Sequence, residues 1–593
     1  MTVIAAESTE AGVGQDQRPG VIALAALAAA AIAQAAAFLK GPSGLDNDSL
    51  MRMAMVHDLI GGQGWFDPMQ YRMGLEGGFA MHWSRLVDAP LAAISLAGAT
   101  VTGSLAVGET IATFVWPTLL LVAASWLVLS IATTTFGRDA LLPALVAGGV
   151  ALASTGIFAP GAVDHHNLQV TLMLAMLAGL LRGTFRSASV AGCAAALMAA
   201  IGAEALPYVA AGGLLAGGLW LARGDEEADT ASGFGIGFAA TAAICFAATV
   251  PPAAWTRAAC DAFSIAQASV AVLAGMGLAL ATVVARCRKW SIRLAALALL
   301  GASIAALVVT AFPQCLGDPY AGLDPRLRHL WLDAVVEAQP AGEILRRDPA
   351  MFAGWYATPL LALAVLIATA WKGGWRRAGL VIGVLLAAAV LVSLWQVRGA
   401  LFAMPLAAIV LAGWIARARA AHASTGTAGA LAAMAAAWVL SFGAIWSAAA
   451  GAIANLPEPD AQAGLAAPAS PDCTAADYAA LAALQPSTVL APSNLGAPIL
   501  RYTPHRTLAG PYHRNVAGNL AVLDMLMAAP DEAERLVRAA GIGLVAICPG
   551  NSETGFLAGA APAGLAARLA AGVAPDWLLP EPTQGALRIY RLR

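Results

Sequence analysis

The stretch "RCRKWSIRLAALALLGASIAALVVTAFP" (Arg286–Pro313) joins four cations to some twenty apolar residues and ends at a proline. As a helix, a run of that length spans the ~30 Å hydrocarbon core of a bilayer. Its cations belong on the cytoplasmic side, where Lys and Arg accumulate in short loops. Similar runs recur near 21–39, 108–132, 139–158, 167–183, 187–203, 204–222, 231–251, 264–286, 290–312, 353–371, 377–397, 399–416 and 427–449. The chain is therefore expected to be mostly α, a polytopic membrane protein with about thirteen spans. Composition agrees: 59% of the 593 residues are hydrophobic and 11% charged, far below the quarter typical of soluble domains. A net charge of −2 with no basic tract gives nucleic acid nothing to bind. Seven cysteines without a CxxC pair exclude a structural zinc site of that type.

The first run, Val21–Leu39, reads as an uncleaved helix, with a cleaved signal peptide as the alternative, since the preceding segment is acidic. The basic loops Arg182–Arg186, Arg286–Arg293, Trp371–Arg377 and Arg417–His422 then all fall on the cytoplasmic face. Residues 1–450 form the expected transmembrane domain, with external loops 40–107, 159–167 and 313–352. Residues 451–593 emerge on the outer face. There, short β-like runs such as "GLVAICPG" alternate with helical stretches such as "PDEAERLVRAAG", which predicts a small α/β domain without a phosphate loop.

Polar residues collect on the outer loops. "SGLDNDSLMRM" (Ser43–Met53) carries Asp46, Asp48 and Arg52, "GAVDHHN" (Gly161–Asn167) carries Asp164, His165 and His166, and "LDAVVEAQP" (Leu332–Pro340) carries Glu337. Carboxylates with an imidazole suit a divalent cation such as Mg or Mn, and the bland alternative is a set of ordinary solvated loop residues. Arg398, in "WQVRGALFAMPLAA", stands alone at the outer junction of two apolar runs. There a guanidinium either meets an anionic partner such as a phosphate or diphosphate headgroup, or snorkels to the interface. Arg52 reads as a partner of Asp48, four residues earlier on a helix. The aromatic and basic stretch Gly62–Pro90, with His82 and Arg85, reads as interfacial helices, with a cleft-lining role as the alternative. "PYHRN" (Pro511–Asn515) reads as a domain turn, with a cleft-facing segment as the alternative. Disulfides pairing Cys260 with Cys315 and Cys473 with Cys548 are open to an oxidising compartment.

"NDSLMRMAMVHDLIGGQGWF", "FAPGAVDHHNLQ", "AVVEAQP" and "QVRGALFAMPLAA", in that order and topology, resemble the catalytic subunit of oligosaccharyltransferases. Those enzymes belong to the GT-C superfamily of membrane glycosyltransferases. The resemblance covers roughly the first 420 residues. It implies a GT-C fold with thirteen transmembrane helices and a C-terminal extracytoplasmic domain. It also implies metal ligation by Asp48, Asp164 and His166, with Asp46 the runner-up to Asp48 and His165 a secondary candidate. Glu337, with Asp48, takes the catalytic role, and Arg398 contacts the donor diphosphate. The family's Thr-Ile-x-Glu motif corresponds to Ala334-Val335-Val336-Glu337, which keeps only the Glu. Its acceptor-reading Trp-Trp-Asp-Tyr-Gly falls at Pro492-Ser493-Asn494-Leu495-Gly496, so the residues that read a sequon are missing.

The function expected on this basis is metal-dependent, inverting transfer of a sugar or glycan from a polyprenyl diphosphate-linked donor. The acceptor is an extracytoplasmic lipid, polysaccharide or protein. The location implied is a bacterial inner membrane, with the site facing the periplasm. Two alternatives are a polyprenyl monophosphate-sugar donor and a transporter of lipid-linked sugars. Transporters place ionisable residues near the bilayer midplane, often at internal repeats, and neither feature is visible here. A non-catalytic scaffold is a third.

Overall fold

The computed structural model describes residues 45–286, 288–318, 320, 322–454 and 472–593, with a few positions between 20 and 35. The expected first span, Val21–Leu39, thus lies largely outside the described residues. Asp46 opens helix α1 (Asn47–Ile60), its carboxylate accepting from Ser49 N at 2.8 Å. A two-stranded hairpin, β1 (Met69–Gln70) and β2 (Phe79–Ala80), precedes α2 (Arg85–Thr102). The membrane bundle follows: α3 (Leu105–Phe136), α4 (Leu141–Ser154), α5 (His166–Arg182), α6 (Phe185–Ile201), α7 (Leu206–Arg223), α8 (Ala228–Thr249), α9 (Ile265–Val284), α10 (Trp290–Ala311), α11 (Pro349–Gly373), α12 (Arg377–Trp395) and α13 (Ala400–Thr425). Seven helical stretches among the described residues are long and apolar enough to cross a membrane, fewer than the thirteen spans expected. One of the seven, Ala203–Thr249, contains both α7 and α8. Helices α4, α5 and α6, at 14, 17 and 17 residues, are shorter than a full span. The last expected span is bent by 82° between Leu440 and Gly443.

Helix α10 has no buried residue along its 22-residue length, an arrangement that suits lipid and not water. Helix α13 is the opposite case, buried from Ala400 through Gly413. Small residues bring the helices close: a Cβ on Gly192 would lie 2.1 Å from the Phe234 carbonyl oxygen, joining α6 to α8 backbone to backbone.

The basic segments gather at one end of the bundle. Arg377 grips Glu227 (2.5 and 2.9 Å) and donates to Leu181 O at 2.9 Å. Arg182 reaches Ser130 (3.5 Å), Arg293 abuts Gly224, and Arg417 lies over Phe136 at 5.9 Å. Helices α5 and α7 run from the opposite end, where His166 and Glu204 sit, to this one, and α12 returns toward Arg398.

Past Asp472 the chain builds a five-stranded sheet in the order β4-β3-β5-β7-β6: β3 (Thr488–Leu490), β4 (Arg506–Thr507), β5 (Leu544–Ile547), β6 (Leu578–Pro580) and β7 (Arg588–Leu592). Strands β4, β3 and β5 are parallel, while β7 is antiparallel to both β5 and β6. This unit is bonded to the first external loop. Thr507 N donates to Arg72 O and Gly74 N to Thr507 O (both 2.9 Å), and Arg72 donates to the carbonyls of Leu500 and Thr503. Arg501 reaches Glu109 on α3 at 2.7 Å. The Cys260–Cys315 and Cys473–Cys548 bonds are both present, and the first joins two loops at the polar end.

Beneath that end, Asp88 on α2 accepts from Arg52 (2.8 Å) and Arg85 (3.0 Å), all three being buried. This corrects the expected pairing of Arg52 with Asp48: α1 turns Arg52 inward, against Trp83 at 4.2 Å, and α2 supplies the anion. Arg85, a secondary site candidate, is committed to Asp88 and to Asp67 O. Asp88→Asn leaves two buried guanidinium groups short of charge and should cost about 3–5 kcal/mol. The measurement is thermal unfolding of the detergent-solubilised protein, and an unshifted transition would refute this account.

Candidate active site

A cavity of about 840 Å³ opens at the polar end, between the bundle and the C-terminal unit. Asp46, Asp48, His165, His166, Glu337 and Arg398 all line it, although they come from four separate segments of sequence. Asp48 sits in the first turn of α1, and no hydrogen bond among the described residues engages its carboxylate. Burial raises that carboxyl well above the usual range, and the charges of Asp164, Asp46 and Glu337 push the same way. Asp46 is raised as well, by burial and then by Asp164, though its N-cap bond to Ser49 opposes this.

Asp164 and the two histidines form a compact cluster. His166 Nδ1 bonds to Asp164 Oδ2, and His165 Nδ1 lies 2.5 Å from Asp164 Oδ1. His165 Nε2 meets Glu204 at 2.7 Å, and Arg52 approaches its Nδ1 at 3.5 Å. Burial pushes the Asp164 carboxyl up, but the two imidazoles outweigh it and hold the group well below its ordinary value. Burial likewise opposes the charge on His165, yet Asp164 and Glu204 outweigh it and raise the imidazole to about 10.

Donor atoms of Asp164, His165 and His166 lie within 4.8 Å of one another. His166 Nε2 is buried without a partner, and Asp164 Oδ1 lacks a hydrogen bond of proper geometry. Orphaned donor atoms beside several like-charged carboxylates fit a divalent cation. Compared with the expected ligand set, this group adds His165 and does not include Asp48. Asp48 nonetheless feels the charges of both Asp164 and His165.

Arg398 enters from the turn between α12 and α13. It makes no hydrogen bond or ion pair among the described residues, and its Nε is buried without a partner. The Glu337 segment is fixed directly to this turn, because Val397 N donates to Gln339 O at 2.9 Å. Pro492–Gly496 also reaches the site: Asn494 lines the cavity and accepts from Asn47 at 3.3 Å, while Glu553 accepts from Ser493 and Asn494.

The sequence reading missed several polar cavity residues, among them Glu204, Asp261, Asp318, Tyr320 and Glu553. Glu204 stood inside nearly forty apolar residues, and a lone carboxylate in such a run is itself a signal. The stretches read as interfacial helices and as a domain turn supply His82 with Trp83, and Tyr512 with His513, to the cavity wall. In both cases the cleft-lining alternative describes what is observed.

Fold and site together define a bundle of membrane helices whose polar end carries a cavity roofed by a C-terminal α/β unit. Among the solved structures it matches are those of the archaeal oligosaccharyltransferase AglB from Archaeoglobus fulgidus. In its apo form that protein gives a TM-score of 0.62 at 15% identity, over 94% of this chain and 73% of that one. Tethered with an acceptor peptide containing the NVT sequon, it gives 0.61 at 15% identity over 93% and 72%. In complex with Zn and sulfate it gives 0.55 at 15% identity over 88% and 68%. Likeness at this identity is likeness of fold. No protein-family profile and no curated protein matches the chain.

Cation and proton compete for the same imidazole nitrogens, so affinity for a divalent metal should rise with pH from about 6 to about 9. The raised His165 fixes that sign, because an imidazole that charges readily yields its lone pair late. Calorimetric titration of the metal-stripped protein with Mn checks this. Asp164→Ala should abolish the binding, and pH-independent binding would count against the assignment.

Proposed function

We propose that the chain is a metal-dependent, inverting membrane glycosyltransferase that consumes a polyprenyl diphosphate-linked sugar. The observation carrying this reading is Arg398, an unpaired guanidinium facing the same cavity as the carboxylate and imidazole cluster. A free cation beside a crowd of anions provides a seat for a phosphate headgroup next to a seat for a metal. An AglB structure with a dolichol-phosphate and an inhibitory peptide supports a lipid-linked donor and a separate acceptor. The structure of AglB with Zn and sulfate supports a cation and an anion together in this fold.

The residues take the following roles. Asp164 and His166, with Asp48 and His165 beside them, would hold Mg or Mn. When bound, that cation offsets the charge growing on the departing diphosphate. Arg398 binds the same diphosphate and stabilises its charge as the bond to the anomeric carbon breaks. Glu337, with Asp48, orients the acceptor's nucleophile and takes its proton as the new bond forms on the opposite face. One displacement inverts the anomeric centre. Glu337 and Arg398 stay in register through the Val397–Gln339 bond. The acceptor is an extracytoplasmic lipid, polysaccharide or protein, and Pro492–Gly496 lacks the groups that read a sequon.

The chain sits in a bacterial inner membrane with this cavity facing the periplasm. Arg-rich segments at the far end support that orientation, and two disulfides at the near end suit an oxidising compartment.

Donor consumption tests the reading. Wild-type protein in proteoliposomes should release the polyprenyl diphosphate, and a deletion strain should accumulate the loaded donor. Asp48→Ala and Glu337→Gln should each lower turnover by roughly 10²–10⁴-fold while the protein stays folded. Arg398→Ala should cost roughly 10²–10³-fold. Wild-type rates from all three variants would end the proposal.

A further inference from the structure

On the cavity wall beside the metal cluster is a second group of side chains that the chemistry above does not use. His82, from the end of the hairpin, packs its ring 4.5 Å from that of His513, and its Nδ1 is buried without a partner. His513 Nε2 donates to Asp261 Oδ2 at 2.7 Å, and no hydrogen bond among the described residues engages its Nδ1. Arg514 takes the same Asp261 carboxylate through Nε and a terminal nitrogen, both at 2.7 Å, so the carboxylate is spent. Tyr320 stands edge-on to His513 at 5.4 Å, and its hydroxyl has no partner among the described residues.

We propose that His82, His513 and Tyr320 form the subsite that reads the hydroxyl groups of a sugar ring. The argument is one of matching chemistry. Each of the three presents a ring nitrogen or hydroxyl without a partner among the described residues, together with an aromatic face, which is the combination a polyol requires. His82 stays neutral because burial, then His513 and Arg514, lower its pKa to about 3. A phosphate finds no free cation here, since Arg514 is committed to Asp261 and the nearby Asp318 adds a negative charge. Position agrees with chemistry. All three line the same cavity as Arg398 and His165, so a ring bonded to a diphosphate seated at Arg398 would share their cavity. Asp261 and Arg514 are positioning residues. Asp261, itself held by Arg514, fixes His513 through Nε2 and leaves its Nδ1 without a partner among the described residues.

This inference rests on the donor reading above, and binding separates the two. The probes are undecaprenyl diphosphate, the same lipid carrying one N-acetylglucosamine, and free N-acetylglucosamine, each titrated onto the purified full chain. The sugar-bearing lipid should bind tighter to wild type than the bare lipid does. His82→Ala and His513→Ala should each cut that gain by about tenfold, the size of one lost neutral hydrogen bond, and leave the bare lipid unaffected. His82→Asn, which keeps a donor and an acceptor, should restore part of the gain, and an unchanged melting temperature certifies each fold. If the variants instead weaken only the free sugar, the subsite still reads a sugar ring, but that of an acceptor. An equal gain in wild type and both alanine variants, with free sugar unaffected, overturns the inference. Failure of the bare lipid to bind wild type counts against the donor reading alone.

Discussion

Asp46, Asp48 and Glu337 line one cavity, Asp164 is bonded to two histidines of its wall, and the mutual repulsion of these four carboxylates is the constraint around which this molecule is arranged. Each is brought there by a different device: an N-cap and first helical turn for the aspartates of α1, the entrance to α5 for Asp164, and a short turn bonded to Val397 for Glu337. Repulsion and burial raise Asp46 and Asp48, whereas two imidazoles hold Asp164 ionised. Histidine meets part of the imbalance, and the carboxylates it does not reach fit the divalent cation proposed above. Beneath this cluster the balance is reversed, one carboxylate, Asp88, serving two guanidinium groups, Arg52 and Arg85. The buried layer has cations to spare and the cavity above it has carboxylates to spare.

Much of this was legible in the chain because a bilayer permits so few choices. Apolar runs and the Arg loops between them located the helices and predicted that the Arg segments share one end, which Arg182, Arg293, Arg377 and Arg417 do. Polar residues left over on the other side had one place to go. What resisted reading was choice of partner. Spacing alone paired Arg52 with Asp48, but the partner lies on α2, because a buried guanidinium goes where a buried carboxylate is offered and local spacing does not record that. The hairpin strands are two residues each, too short for any alternation to register. The run at 139–158 overestimated α4, which spans 14 residues, since composition cannot say where a helix ends inside an apolar run.

Glu204 shows the limit differently. Hydropathy averages it away, yet it is the carboxylate that orients His165 from below. The question that picked out Arg398, namely what neutralises a charge in an apolar run, would have found Glu204 had it been asked there.

The β4 strand does not end at the C-terminal unit's own border, because Arg72 to Gly74 bond to Thr507 and continue the structure into the first external loop. The roof of the cavity is thus woven from both ends of the chain. Exchanging the last third of the chain for another's would sever that seam unless the hairpin were carried along. The unit that can be exchanged in this architecture is consequently a discontinuous one.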